Sequence, residues 1–94
     1  MLNTINVALI GSKFMGRAHS NAWSNVGHFF DVDPAAAMHL VCARDADELA
    51  AFATRWGWAG STTDWRAAVT ADDVDLVDVA TPNNVHAEQA IAAL

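Results

Sequence analysis

Near its start the chain reads Val7-Ala8-Leu9-Ile10-Gly11-Ser12-Lys13-Phe14-Met15-Gly16. The apolar run predicts a buried strand, and the residues after Gly11 predict a tight turn that leads into a helix. A phosphate-binding loop of the dinucleotide-binding type has three glycines in the pattern G-x-G-x-x-G. Gly11 and Gly16 occupy the first and third of these positions, and Lys13 stands at the second. The stretch is therefore either a variant cofactor loop or a pair of glycines unrelated to any nucleotide.

Apolar segments typical of buried strands alternate along the chain with segments that have the apolar spacing of helices. The predicted strands cover residues 5–10, 38–43, 59–62 and 74–80, and the predicted helices cover residues 15–26, 49–56, 65–69 and 87–94. Residues 27–37 are predicted to form a surface loop. Such alternation implies right-handed crossovers and a parallel sheet. We predict a doubly wound α/β fold of the Rossmann type, with strand order 3-2-1-4 and with its final strands missing.

Several helix ends carry recognisable capping residues. Asp45, with Glu48 three residues later, resembles a capping box at the start of the second helix. Gly57 follows that helix at a C-terminal position. Asn83 or Asn84, after a proline, is expected to cap the last helix.

The composition limits the classes of function. A formal net charge of −6 disfavours nucleic acid as a partner. No apolar run approaches the roughly 20 residues of a membrane helix, and the first residues lack the pattern of a signal peptide. Cys42, the single cysteine, is expected to be a small buried hydrophobe rather than a reactive thiol. We therefore expect a cytoplasmic protein that contacts neither nucleic acid nor membrane.

The unusual residues fall at the carboxyl ends of the predicted strands, where this fold binds its ligands. The Lys13 ammonium either pairs with a phosphate or points away from it. After the second strand, Ala43 stands where an acid would accept hydrogen bonds from the ribose of NAD, and Arg44 offers a partner for a 2′-phosphate. Alternatively, Arg44 is a solvated loop residue. His86 either faces the crevice or is an ordinary helix residue.

Two further polar side chains are expected to serve packing rather than chemistry. Asp78 shares a strand face with apolar residues and is interpreted as a satisfied polar group inside the sheet. His19 lies on the inner face of the first predicted helix and is interpreted as a packed histidine.

Four segments together resemble the Gfo/Idh/MocA oxidoreductases, a family that includes glucose–fructose oxidoreductase and inositol dehydrogenase. They are residues 11–23, 42–45, 63–65 and 74–86, which follow one another in the family's order and cover almost the whole chain. The most specific of them contains Thr81-Pro82-Asn83 followed by His86. The resemblance implies an NAD- or NADP-dependent dehydrogenase acting on sugars, inositols or related polyols.

The resemblance also implies cofactor-binding positions at Gly11, Lys13, Phe14, Met15, Arg44, Pro82, Asn83 and His86. Ser12, Gly16 and Thr81, which belong to the same segments, are expected to bind the cofactor with them. Ala43 stands where NAD-preferring members often have aspartate, which favours NADP and leaves NAD open. No catalytic residue and no metal ligand is assigned within the chain.

The family's Glu-Lys-Pro segment, whose lysine is catalytic, and its substrate domain are expected beyond Leu94. Residues 1–94 are accordingly expected to be the N-terminal part of a cofactor domain, and to be inactive alone. A sheet lacking its last strands exposes an edge, so we expect a homo-oligomer. Two alternatives stay open: a non-catalytic module that binds or senses a dinucleotide, and an α/β interaction domain that binds none.

Overall fold

A computed structural model describes residues 4–31 and 33–94, without the side chains of Asn83 and Asn84. Strands and helices alternate along this part of the chain. In order they are β1 (Thr4–Ile10), α1 (Phe14–Phe29), β2 (Ala35–Cys42), α2 (Ala46–Trp56), β3 (Gly60–Thr62), α3 (Trp65–Thr70), β4 (Leu76–Val79) and α4 (Asn83–Ala93).

The four strands form one parallel sheet in the order β3-β2-β1-β4, which confirms the predicted fold class and strand order. The register aligns Ile10 with Cys42 on one side and with Val79 on the other. The ladder continues beyond the strands, because the Gly11 N–H donates to the Cys42 carbonyl at 2.8 Å. The carboxyl ends of the three strands therefore lie level with one another at one edge of the sheet.

The central strand is buried on both faces. On one face Val7 and Leu9 pack with Leu49 and Phe52 of α2, and on the other Ile10 packs with Ala68 of α3. Alternate residues of β1 thus enter opposite halves of the core, as the two-residue period of a strand requires. Covering both faces explains why β1 is continuously apolar from Val7 to Ile10 rather than alternating.

The caps of α2 agree with the sequence prediction. The Asp45 carboxylate accepts hydrogen bonds from the backbone N–H groups of Asp47 and Glu48, each at 3.0 Å. Gly57 ends the helix at a φ of 84°, in the left-handed region that favours glycine.

The predicted loop over residues 27–37 is wrong at both ends. Helix α1 continues to Phe29, and β2 begins at Ala35, because β1 supplies a pairing partner for Ala35 at Thr4. Alanine has a low intrinsic preference for strands, so the neighbouring strand overrides a local preference here.

The last helix also begins differently from the prediction. Pro82 occupies its N-cap position and Asn83 is its first residue, so neither Asn83 nor Asn84 is the capping residue. Pro82 has a φ of −56° and a ψ of 151°, so its backbone is extended and the helical conformation begins only at Asn83. The fourth strand is shorter than predicted, since residues 74 and 75 precede β4.

A half-buried polar network ties α1 to β4. The Asp78 carboxylate, 16% exposed, lies 2.9 Å from His19 Nδ1, and its Oδ2 accepts the indole N–H of Trp23 at 3.0 Å. This arrangement agrees with the interpretation of Asp78 as a satisfied polar group and of His19 as a packed histidine. The network fixes the helix that carries the glycine loop against the strand that ends beside it.

Two glycines allow α1 to approach the sheet closely. At Gly11, where φ is 121°, a Cβ atom would lie 2.5 Å from the carbonyl oxygen of Ala80. At Gly16 a Cβ atom would collide with the Gly11 carbonyl group. Both obstacles are backbone atoms, which cannot rotate away as a flexible side chain can.

We expect Gly16→Ala to lower the free energy of unfolding by about 3 kcal/mol, because the added methyl group overlaps backbone. The matched control is Gly27→Ala in the same helix, where a Cβ atom meets nothing within 4 Å. That control is expected to stabilise the chain by roughly 0.5–1 kcal/mol, the usual gain from replacing a helical glycine. Urea denaturation gives the free energy of unfolding of both variants. Equal changes in the two would contradict the close contact between Gly16 and the Gly11 carbonyl group.

We expect Asp78→Ala to lower the free energy of unfolding by about 2 kcal/mol, because it leaves the Trp23 indole N–H without its acceptor. Asp72→Ala removes an exposed carboxylate two residues before Val74 and is expected to change stability by less than about 0.5 kcal/mol. Thermal unfolding followed by circular dichroism compares the two. A loss at Asp78 no larger than at Asp72 would show that the network contributes nothing to stability.

Candidate functional site

A cavity of about 450 Å³ opens at the carboxyl edge of the sheet. Its walls come from the segments that follow β1, β2, β3 and β4 and from the first half of α4. This is the place where an open parallel sheet binds its ligands, because strand order reverses between β1 and β4. Six of the predicted cofactor-binding residues line it, namely Gly11, Ser12, Lys13, Arg44, Thr81 and Pro82.

The other predicted residues do not line this cavity. Phe14 and Met15 begin α1 with exposed side chains, 70% and 50% accessible, and Gly16 packs beneath the Gly11 carbonyl. The His86 ring lies on the surface of α4, with its Nε2 atom 3.0 Å from the carbonyl oxygen of Val79. The prediction for Asn83 concerns a side chain outside the described residues.

The first turn of α1 has the properties of an anion site. Lys13 is the N-cap residue, no side chain caps the helix, and the first turn contains no acidic residue. The first backbone N–H groups of a helix have no partner within the helix, and its dipole places positive potential at this end. A phosphate group can therefore be held by backbone alone at this position.

The Lys13 side chain forms an ion pair across the mouth of the cavity. Its ammonium lies 3.2 Å from Oε2 of Glu48 on α2, and the two side chains are 82% and 60% exposed. An exposed pair of this kind contributes little to stability, and a bound anion can compete for the lysine. The capping box predicted from Asp45 and Glu48 is thus only half formed, because the Glu48 carboxylate pairs with Lys13.

Four charged residues line the cavity beside the end of β2. Lys13 and Arg44 are basic, whereas Asp45 and Glu48 are acidic, so their formal charges cancel. Arg44 is exposed, and Ala43 beside it is only half-buried. The rim of the cavity therefore has no excess of positive charge at this point.

The cavity is also lined by residues that were not predicted to belong to the site. They are Cys42, Thr63, Trp65, Val85 and Gln89. Val85 and Gln89 are four residues apart and so lie on one face of α4, the same face as Pro82 at its start. This helical spacing could have predicted both residues from the sequence, because it places them on the same side as the Thr81-Pro82 segment.

Cys42 is a buried residue of the cavity wall, as predicted. Burial raises the pKa of its thiol to about 11, and the nearby Asp64 carboxylate adds to the shift. A thiol is the unreactive form of cysteine, so Cys42 contributes shape rather than a nucleophile.

Residues 4–31 and 33–94 contain neither a membrane-spanning helix nor a cluster of metal-binding side chains. No helix there is both long enough and apolar enough to cross a membrane. Nor does this part of the chain bring together three side chains of the metal-binding types His, Cys, Asp and Glu.

Known proteins of related sequence share this fold and this site region. The profile of an oxidoreductase family with an NAD-binding Rossmann fold, Gfo/Idh/MocA, matches residues 5–94. Levoglucosan dehydrogenase from Pseudarthrobacter phenanthrenivorans is 47% identical over 93 residues, which are 98% of this chain and 24% of that protein.

Solved structures agree with the sequence comparison. A levoglucosan dehydrogenase in complex with NADH and levoglucosan superposes with a TM-score of 0.90 and 42% identity, over 96% of this chain and 25% of that one. An oxidoreductase domain protein from Kribbella flavida superposes with a TM-score of 0.92 and 46% identity, over 98% and 24% of the two chains.

The chain spans about a quarter of the length of the relatives that it matches. The match nevertheless covers nearly all of the chain, including the glycine loop, the ends of β2 and β4 and the start of α4. The chain therefore belongs to the Gfo/Idh/MocA family of oxidoreductases, and its fold is the family's NAD-binding Rossmann fold.

Proposed function

We propose that this chain binds a nicotinamide dinucleotide in the cavity at the carboxyl edge of its sheet. The main support for the proposal is that the uncapped start of α1 and six predicted cofactor-binding residues lie around one cavity. In this proposal the pyrophosphate lies against the backbone of residues 11–16, where the helix dipole favours an anion. The adenosine ribose lies near Arg44, and the nicotinamide points toward Pro82, Asn83 and His86, with Phe14 and Met15 beside the loop.

We propose NAD(H) rather than the NADP that Ala43 and Arg44 alone predict. A 2′-phosphate carries about two negative charges and is favoured by a local excess of positive charge. Here the formal charges of Lys13 and Arg44 are balanced by those of Asp45 and Glu48. The NADH complex of a relative 42% identical to this chain supports the same choice.

For the whole protein we propose hydride transfer between the nicotinamide ring and a secondary alcohol carbon of a sugar or polyol. The sugar-type ligand in the related complex supports this substrate class. The bound cofactor supplies the hydride chemistry, and the residues of this chain bind and orient it. The catalytic groups are expected in a substrate domain, with residues 1–94 as the first part of the cofactor domain.

We further propose a cytoplasmic homo-oligomer. The order of the described strands leaves β4 at an edge of the sheet, and an edge strand offers unpaired backbone groups to another chain or segment. The acidic charge balance argues against nucleic acid as a partner.

Titration with NADH, followed by tryptophan fluorescence or calorimetry, is expected to show saturable binding. Ser12→Glu places a carboxylate beside the proposed pyrophosphate position and should weaken binding at least about tenfold by charge repulsion. Ser24→Glu introduces the same charge on the exposed surface of α1, away from this cavity, and should leave binding unchanged. A folded sample that binds neither NADH nor NADPH would rule out both a dehydrogenase cofactor domain and a dinucleotide-sensing module. It would favour an α/β interaction domain that binds no dinucleotide.

Two substitutions at the rim are expected to move cofactor preference in opposite directions. Ala43→Asp adds an acceptor for the ribose hydroxyls and a charge that repels a 2′-phosphate, so the preference for NAD should increase. Glu48→Gln leaves Lys13 unpaired and should strengthen NADP binding about threefold. Glu88→Gln makes the same change in net charge outside the cavity and should leave the preference unaltered. If Glu48→Gln and Glu88→Gln changed the preference between NADP and NAD equally, the Lys13–Glu48 pair at the rim would have no specific effect on cofactor choice.

A further inference from the structure

Gln89 is a buried polar residue in the wall of the cavity. It is 5% exposed, it belongs to α4, and its neighbours around the cavity include the apolar side chains of Val85 and Trp65. A buried amide costs free energy unless it is hydrogen-bonded, so its presence in an otherwise apolar wall calls for a polar partner. In the proposed site, Gln89 binds neither the pyrophosphate nor the ribose, so these groups do not explain a buried amide at this position.

The Thr81 hydroxyl holds this amide in place. Thr81 Oγ1 donates a hydrogen bond to Oε1 of Gln89 and so connects the end of β4 to the second turn of α4. An amide oxygen has two lone pairs and an amide nitrogen two N–H groups, so one hydrogen bond from Thr81 uses only part of the amide's capacity. The remaining capacity comprises both an acceptor and a donor.

Apolar side chains from three elements line the cavity together with Gln89. Cys42 and Ala43 come from the end of β2, Trp65 comes from α3, and Val85 comes from α4. Helices α3 and α4 are joined by an ion pair, in which Arg66 lies 3.1 Å from Glu88. The Arg66 guanidinium also lies over the Trp65 ring, 4.5 Å from its centroid. An aromatic base can place its faces against these apolar side chains and its polar edge toward the amide.

We propose that Gln89, oriented by Thr81, recognises the polar edge of the adenine ring. Adenine presents its N6 amino donor beside the N7 acceptor, and glutamine can satisfy both at once through its oxygen and its nitrogen. Hypoxanthine presents a carbonyl oxygen in place of the amino group, so that two acceptors face an amide with one acceptor and one donor. The inference rests on the proposed function, since it assigns a base-reading residue to the same dinucleotide site.

The experiment compares the binding of NAD with that of its hypoxanthine analogue, which differs only at the base. We expect the unaltered chain to bind NAD about tenfold more tightly, as one bidentate amide–base contact typically gives. Gln89→Met keeps the length of the side chain without its polar atoms, and the ratio of the two dissociation constants should fall toward one. Calorimetry gives both constants for samples whose folding is checked by circular dichroism.

Variants at Thr81 test the same proposal without altering Gln89. Thr81→Val removes the hydroxyl and should lower the ratio of the dissociation constants of the hypoxanthine analogue and NAD. Thr81→Ser retains the hydroxyl and should keep this ratio near that of the unaltered chain. Asp72→Asn, at an exposed position outside the cavity, should leave the ratio unchanged.

Two results would overturn the inference while leaving the proposed function intact. One is equal binding of NAD and its hypoxanthine analogue by the unaltered chain. The other is an undiminished ratio in both Gln89→Met and Thr81→Val. Binding of neither dinucleotide by the unaltered chain is a separate outcome, which would overturn the proposed function and the inference together.

Discussion

The close contact of backbone with backbone at Gly11 and Gly16 is the constraint on which the rest of the structure depends. Gly11 lies against the carbonyl of Ala80, and Gly16 lies against the carbonyl of Gly11. This double approach sets the start of α1 at the junction of β1 and β4. The helix dipole and the uncapped N–H groups consequently face the edge of the sheet where the cavity opens. The half-buried Asp78 carboxylate on β4 reinforces the arrangement, because it accepts a hydrogen bond from Trp23 in the middle of the same helix.

The cavity brings together an uncapped helix start and two pairs of polar side chains. The first N–H groups of α1 belong to the backbone, so they can donate to an anion whichever side chain stands at Lys13. The Lys13–Glu48 pair lies at the rim, and the Thr81–Gln89 pair connects the end of β4 to α4. In the function that we propose, the backbone binds the pyrophosphate, and the side-chain pairs discriminate between dinucleotides.

Features that depend on neighbouring residues in the sequence were predictable. Asp45 and Gly57 act on backbone groups within four residues of themselves, so the ends of α2 could be predicted from local pattern. The loop predicted over residues 27–37 was wrong because its outcome depends on β1. Three alanines without strand preference join β2 when a paired strand offers hydrogen bonds.

The sequence by itself determined the parallel sheet, the order of its strands and the presence of polar residues at their carboxyl ends. It did so because alternating strands and helices permit few chain paths, and because these paths bring strand ends together. The tertiary structure decided which of those residues face the cavity and which partners they take. Lys13 pairs with a carboxylate 35 positions away, and His19 pairs with one 59 positions away. Such partners are brought together only by packing, so no local pattern specifies them.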